Sequence, residues 1–269
     1  MEAWMILLPA LVFSALMIFS HTYLGLHVLA RGIIFVDLAL AQVAALGISL
    51  AFLLGEDAHG LTAQLYAFGA TLTAAFAFAG LRRIPGKTTR EVIIGCVYVV
   101  ATALSIVILS RSSQGMEELK SLFNGNILWV RWQEIVVVAG VTALLALLHL
   151  LYRKRFYELS FTTESTESTR RPGFLWEFLF FASFAIVITL AVNIAGVLLV
   201  FAFLIIPAFS ASLIAGSLRA RLLIGWLLGL LGAIAGLWLS FVADLPVGAT
   251  VVSVVGLLPF LAVAIRAVR

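Results

Sequence analysis

Cysteine and charge are the two features that this sequence has least of. Its 269 residues include one cysteine, Cys96, which rules out a disulfide framework and a metal cluster held by thiolates. Charged residues make up 11% of the chain, whereas about a quarter of a typical soluble domain is charged. The composition is therefore not that of a soluble protein.

Catalytic motifs are missing as well. The sequence contains no G-x-S-x-G, no H-E-x-x-H and no His/Cys pair at the spacing of a zinc site, so it does not support a protease or a metalloenzyme. Residues 80–88, GLRRIPGKT, resemble a phosphate-binding loop, but five residues separate the glycines instead of four. They also follow an apolar helix pattern and not a strand. We predict that this chain is not an enzyme, binds no cofactor and does not itself bind ATP.

Long apolar runs are what the sequence has in abundance. Hydrophobic residues make up 63% of the chain, its mean hydropathy is +1.17, and a spanning helix needs about 20 mostly apolar residues. We predict an all-α, polytopic membrane helical bundle, one transmembrane domain over residues 1–269 with eight or nine spans. The nine apolar runs are 4–28, 33–54, 61–81, 92–109, 135–152, 174–192, 195–215, 222–242 and 247–265.

The basic residues predict the orientation of these spans. Fourteen of the 17 lysines and arginines fall in connections on one side, and basic loops are cytoplasmic by the positive-inside rule. The N-terminus is then outside and the C-terminus is cytoplasmic. The net charge of +4 thus reports orientation in membrane lipid and not binding to nucleic acid.

Two connections are long. The outer connection, residues 110–134, has an apolar centre at 122–130 flanked by Trp129 and Trp132, which suits a surface or re-entrant helix. The cytoplasmic connection, residues 153–173, is basic and rich in Ser, Thr and Glu, so we predict a solvated, mobile segment. Pairs of glycines four residues apart at 225–236 predict close helix packing.

Residues 31–47 hold the strongest candidate for a functional site. After Arg31 the chain becomes apolar, yet Asp37 and Gln42 follow among small residues. Polar groups within a membrane span are costly unless they face protein, water or a substrate. We predict a functional site at Asp37, with Gln42 as the second candidate and His21 of the first span as the third.

Several stretches in order along the chain resemble the ABC-3 family, the membrane permeases of ATP-dependent importers for manganese, zinc or iron. They are residues 29–52, GKTTREVIIGCVY at 86–98, LFNGNILWV at 122–130, 195–216, and ADLPVGATVVSV at 243–254. Together these stretches cover nearly the whole chain.

The resemblance implies a multi-pass protein of the cell inner (plasma) membrane. It implies a homodimer with a path along the dimer interface, two copies of a cytoplasmic ABC ATPase that binds ATP, and an extracytoplasmic substrate-binding protein. The family is similar to the vitamin B12-type importers, by which residues 207–222 look like the segment that couples to the ATPase. The coupling candidates are Pro207, Ala208, Ser210, Ser212, Arg219 and Arg221. With this resemblance, we predict that Asp37, then Gln42, then His21 line the translocation path, and that Asp37 contacts the metal ion.

The sequence departs from the family pattern at the candidate site. The family has an aspartate, a histidine four residues later and a glycine five further on. Alignment on Gly47 puts Gln42 in the place of the histidine, with Asp37 one residue early. Residues five apart point about 140° apart on a regular helix, so only a π-bulge would let both hold one ion. A glutamine amide is also a poor zinc ligand.

Two other readings stay open. A carrier of a chelated metal, such as an iron–siderophore complex, would not need the histidine, because the chelator supplies the ligands. The alternative that involves no transport is a membrane scaffold subunit without a substrate path.

Overall fold

The computed structural model describes residues 2–58, 60–111, 115–125, 127–161 and 173–268, and within these ranges the regular structure is helical. Two short 3₁₀ turns, Leu81–Arg83 and Ile127–Trp129, accompany the α-helices. The α-helices are α1 Glu2–Arg31, α2 Val36–Leu53, α3 Leu61–Gly80, α4 Lys87–Leu109, α5 Gly115–Asn124, α6 Trp132–Leu151, α7 Arg153–Phe161, α8 Phe174–Ile214, α9 Leu218–Ala243, α10 Val247–Val255 and α11 Leu258–Val268.

Eight stretches of the described chain are long and apolar enough to cross a membrane, where the sequence suggested nine runs. The difference lies in α8, whose 41 residues are about twice the roughly 20 that one span needs. It contains both runs predicted at 174–192 and 195–215. Gly196 interrupts the helix, because its backbone angles, φ 75° and ψ 161°, are not α-helical. Glycine adopts them easily because it has no Cβ.

The last predicted run, 247–265, is not one regular helix. It divides into α10 and α11 around Gly256 and Leu257. Pro259 lies in the first turn of α11, and a proline there lacks the N–H that would have continued the hydrogen-bond ladder of α10. The two helices still form a single candidate span, Val247–Ala267.

Both long connections differ in part from their predictions. In the outer one the helix is α5 at Gly115–Asn124, earlier than the predicted 122–130, and the exposed Trp129 follows in a 3₁₀ turn. The cytoplasmic one begins as α7 and not as a mobile segment, because Phe156 is fully buried and stacks on His149 at a centroid distance of 3.8 Å. The Ser/Thr/Glu tract at 162–172 lies outside the described residues.

The chain forms two compact units. The first comprises Met1–Leu29, Phe123–Thr142 and Ile194–Arg269, and the second comprises Ala30–Leu122 and Ala143–Asn193.

In the first unit, glycines of α9 let neighbouring helices come close. A Cβ on Gly225 would lie 2.6 Å from Thr22 Cγ2 of α1, and one on Gly236 would lie 2.7 Å from Val251 Cα of α10. Both distances are too short for a real side chain, so these positions accept only glycine without a shift. The predicted role of the glycine spacing in helix packing is confirmed.

In the second unit, small residues of α2 pack on α3. A Cβ on Gly47 would lie 2.7 Å from Ala67 Cα, so the two backbones are nearly in contact. Ala44 and Ile48 of α2 and Ala63 of α3 are buried around this approach. This close packing fixes the middle of α2 against α3. The helix α2 also carries Asp37.

Candidate cation site

The candidate site begins at the turn between α1 and α2. Gly32, at φ 65°, lets the chain reverse after α1, and α2 starts at Val36 with Phe35 as its N-cap residue. Asp37 is the second residue of the helix. A negative charge in the first turn is favoured by the partial positive charge at a helix N-terminus, which explains why the sequence tolerates an acid here.

Asp37 is completely buried, with 0% of its surface exposed. Neither carboxylate oxygen has a hydrogen-bond partner among the described residues. A bare carboxylate removed from water is very costly unless a proton or a cation compensates it. The burial of these two unpartnered oxygens therefore calls for a bound proton or a bound cation.

Gln42 lies on the same helix but on another face. Its side chain is 1% exposed, and its Nε2 has no partner in the described chain. Residues 36–53 are α-helical throughout, with no π-bulge. Asp37 and Gln42 therefore stay about 140° apart around the helix axis, and they do not form a common pair of ligands.

His21 belongs to α1 and to the first unit, whereas Asp37 and Gln42 belong to the second. Its side chain is 1% exposed, and its Nδ1 lies 2.9 Å from the Met17 carbonyl oxygen. A carbonyl only accepts, so Nδ1 carries the proton and the lone pair is on Nε2. That Nε2 is buried and has no partner in the described residues. His21 thus offers one ligand atom, oriented as metal-binding imidazoles usually are.

The described residues contain no group of three or more His, Cys, Asp and Glu that could hold a metal ion. The part of the chain that the structure describes therefore offers isolated polar groups, Asp37 foremost, and not a closed cage of ligands.

Two contacts near Asp37 were not found from the sequence. The Arg31 guanidinium forms an ion pair with Glu177 at the start of α8, and the Phe35 backbone N–H donates to Glu91 Oε1 of α4 at 2.9 Å. Their partners are 146 and 56 residues away in the chain, beyond any local pattern. The only sequence signal was that Glu91 lies in the GKTTREVIIGCVY stretch and Glu177 at the predicted cytoplasmic edge.

The beginning of the predicted coupling segment is buried. Pro207, Ala208 and Ser210 are buried, and a Cβ on Gly25 would lie 3.0 Å from the Ala208 Cβ. Ser212 Oγ donates to the Phe209 carbonyl oxygen at 2.7 Å. Pro207, Ala208 and Ser210 therefore pack within the first unit, and the coupling role of the segment stays a prediction.

The turn that follows is accessible. Ser217 caps α9 by accepting from the Ala220 N–H at 3.3 Å, and Arg221 Nε donates to the Ala215 carbonyl oxygen at 2.9 Å. Arg219 is exposed on this turn. The ATPase contact stays a prediction, and the part of the segment that is open to it is the turn around Gly216–Arg219.

Eight apolar stretches of spanning length in the described chain indicate a multi-pass helical membrane protein. The chain belongs to the ABC 3 transport family, whose sequence model matches residues 3–266. The resemblance that the sequence suggested is confirmed.

Similar proteins are named as metal transport subunits. The manganese transport system membrane protein MntC of Halalkalibacterium halodurans is 23% identical over 86% of this chain and 77% of its own. A Haemophilus influenzae protein named as an iron transport system membrane protein is 23% identical over 94% of this chain and 87% of its own.

Solved structures share the fold. PsaBC from Streptococcus pneumoniae, in complex with Fab, superimposes with a TM-score of 0.75 at 22% identity, covering 96% of this chain and 90% of that one. An inward-facing conformation of a metal-chelate type ABC transporter gives 0.71 at 18% identity, covering 96% and 85%. At these identities the likeness establishes the fold of an ABC transporter permease.

Proposed function

We propose that this chain is the permease subunit of an ABC importer that moves a divalent transition-metal ion across the cell inner membrane. The observation that carries the proposal is Asp37, a fully buried carboxylate with no partner for either oxygen among the described residues. A bare divalent ion cannot cross hydrocarbon without polar groups to replace its water, and Asp37 supplies such a group.

The proposed mechanism is alternating access. Two copies of the permease enclose the path, a cytoplasmic ABC ATPase binds and hydrolyses ATP, and an extracytoplasmic substrate-binding protein delivers the ion. This chain contributes the path and the turn around Gly216–Arg219 that meets the ATPase. The metal is manganese or iron, which are named for the relatives, or it is zinc.

The oxygen ligand at Asp37 favours a hard or borderline ion. Carboxylate and amide oxygens suit Mn²⁺ and Fe²⁺, whereas Zn²⁺ prefers nitrogen and sulfur ligands. His21 Nε2 adds one imidazole nitrogen, which is buried without a partner in the described chain. We therefore expect Mn²⁺ or Fe²⁺ to be carried better than Zn²⁺.

The test is uptake of ⁵⁴Mn²⁺, ⁵⁵Fe²⁺ and ⁶⁵Zn²⁺ by the full complex in proteoliposomes. Asp37→Asn keeps the shape of the side chain and removes its charge, so uptake should be abolished while the complex still assembles. Asp244→Asn is the matched control, because Asp244 is exposed at the C-cap of α9 with φ 50°, a conformation that asparagine also tolerates. Uptake by Asp37→Asn at the control rate would contradict the proposal.

The chelate alternative is tested in the same vesicles. A carrier of a metal complex would take up an iron chelate and ignore the free ions, and Asp37→Asn would leave that uptake intact. A scaffold would bind and transport neither the free ion nor the chelate. Metal analysis of the purified complex and the identity of the neighbouring genes therefore distinguish it from both kinds of transporter.

A further inference from the structure

The N-terminus of α2 lacks a cap of its own. The N-cap residue is Phe35, and no side chain of the turn accepts a hydrogen bond from the helix. In a capping box, an acid or amide at the third helical position accepts from the N-cap N–H. That position in α2 is Leu38, which cannot accept. The helix that carries Asp37 therefore has to be capped from elsewhere.

Glu91 of α4 performs this function from another helix. Its Oε1 accepts from the Phe35 N–H at 2.9 Å, the same bond that a local glutamate would make in a capping box. The Val36 N–H is satisfied by the Ile33 carbonyl oxygen at 3.2 Å. The carboxylate of Glu91 also lies at the positive end of the α2 dipole, which strengthens the contact.

Two neighbours of Glu91 on α4 lie beside the same turn before α2. Lys87, Glu91 and Gly95 are spaced four apart and so form one stripe along α4. A Cβ on Gly32 would lie 3.6 Å from Lys87 Cδ, and a Cβ on Gly95 would lie 3.9 Å from Phe35 Cδ2. The stripe therefore runs beside the turn from Gly32 to Phe35, and the hydrogen bond of Glu91 fixes that turn to α4.

We propose that Glu91 is a positioning residue for the cation site, and that it acts by fixing the first turn of α2 and thereby the Asp37 carboxylate. This inference rests on the proposed function of Asp37. Asp37 follows Phe35 by two residues, so a loose N-cap displaces the carboxylate directly. Movement of α4 is transmitted to Asp37 through the same hydrogen bond.

The test compares four variants of the full complex in proteoliposomes, with Mn²⁺ as the probe. Glu91→Ala removes the acceptor, and Glu91→Gln keeps an amide oxygen in its place. Glu134→Ala is the matched control, because Glu134 Oε2 accepts from the Arg131 N–H at 2.8 Å and makes the same bond at the start of α6. Glu91→Asp keeps the charge but withdraws the oxygens by one methylene, and it replaces Glu91→Ala if that complex does not assemble.

Two readouts are needed. Glu91→Ala should raise the apparent KM for Mn²⁺ about fivefold, the loss expected of one helix cap, and should speed amide exchange in residues 33–38. Glu91→Gln should keep both values within about twofold of the wild type. Glu134→Ala should speed exchange at the start of α6 and leave the KM unchanged.

The outcomes separate the two proposals. An unchanged KM in Glu91→Ala, with Asp37→Asn inactive, overturns the positioning role alone. A KM shift that Glu134→Ala reproduces also overturns it, since any lost cap would then suffice. Wild-type uptake by Asp37→Asn overturns the proposed site itself, whatever Glu91 does.

Discussion

Arg31 and Glu177 form an ion pair that is nearly closed to solvent, with side chains 10% and 12% exposed. The Arg31 guanidinium carbon also lies 4.7 Å from the centre of the Phe180 ring and 5.1 Å from that of Phe181. The pair joins the end of α1 to the start of α8 just before the turn that leads to Asp37. Because both charges are withdrawn from water, each depends on the other.

We expect Glu177→Ala to destabilise the protein by about 3 kcal/mol, because Arg31 would keep a buried charge without its partner. Glu158→Ala is the control: its pair with Arg155, at 3.6 Å, has side chains 44% and 55% exposed, and such pairs contribute about 0–1 kcal/mol. Chemical unfolding in detergent measures both. Equal losses in the two variants would show that the Arg31 pair is no more than a surface contact.

Gly196 should be irreplaceable. Its φ of 75° disfavours any residue with a Cβ, and that Cβ would lie 2.3 Å from the Gly125 N atom. Gly196→Ala should therefore lower the yield of folded protein and its thermal midpoint. Gly140→Ala, in α6 with no atom within 4 Å of the new Cβ, should be neutral or stabilising by up to about 1 kcal/mol. A Gly196→Ala protein as stable as Gly140→Ala would contradict the strained break in α8.

Gln42→His should not create a zinc site with Asp37. The unbroken α2 helix keeps positions 37 and 42 about 140° apart, so the new imidazole would face away from the carboxylate. Leu40→His is the contrasting variant, because positions 37 and 40 are three apart and share a helix face. Leucine and histidine are also similar in size. Zinc titration of the purified complexes should show tighter binding for Leu40→His than for Gln42→His. The reverse order would mean that α2 is bulged in the working protein.

Arg219 and Arg221 should behave differently although they are two residues apart. Arg219→Glu should reduce copurification of the ATPase and the ATPase rate without loss of thermal stability, because Arg219 is exposed on the turn. Arg221→Ala should cost about 1 kcal/mol of stability, because it removes the hydrogen bond to the Ala215 carbonyl oxygen. Intact coupling in Arg219→Glu would place the ATPase contact elsewhere.

Much of the fold was predictable because spanning helices carry their signal locally. Most apolar runs correspond to helices within a few residues, and the glycines of α9 lie where helices approach closely. The predictions that were wrong depended on backbone detail. The predicted separation of the runs 174–192 and 195–215 lies beside the break at Gly196. The helix α7 was missed because it is held by the packing of Phe156 and not by its own propensity.

The sequence was enough to single out Asp37 as the candidate residue, and it was not enough to predict what surrounds that residue. Asp37 stands out in the sequence because a charge within an apolar run has few explanations. The sequence could not reveal that both of its oxygens are unpartnered, or that α2 remains regular through Gln42. Both facts depend on where the other helices lie.

By itself, the sequence determined the membrane class, the approximate spans, the family and the acidic residue at the centre of the candidate site. These follow from composition, length and local order, which need no knowledge of distant contacts. Only the tertiary structure decided that Glu91 caps the helix of Asp37 and that Glu177 neutralises Arg31. Those pairs join residues 56 and 146 positions apart, and burial makes such contacts strong without leaving a pattern in the sequence.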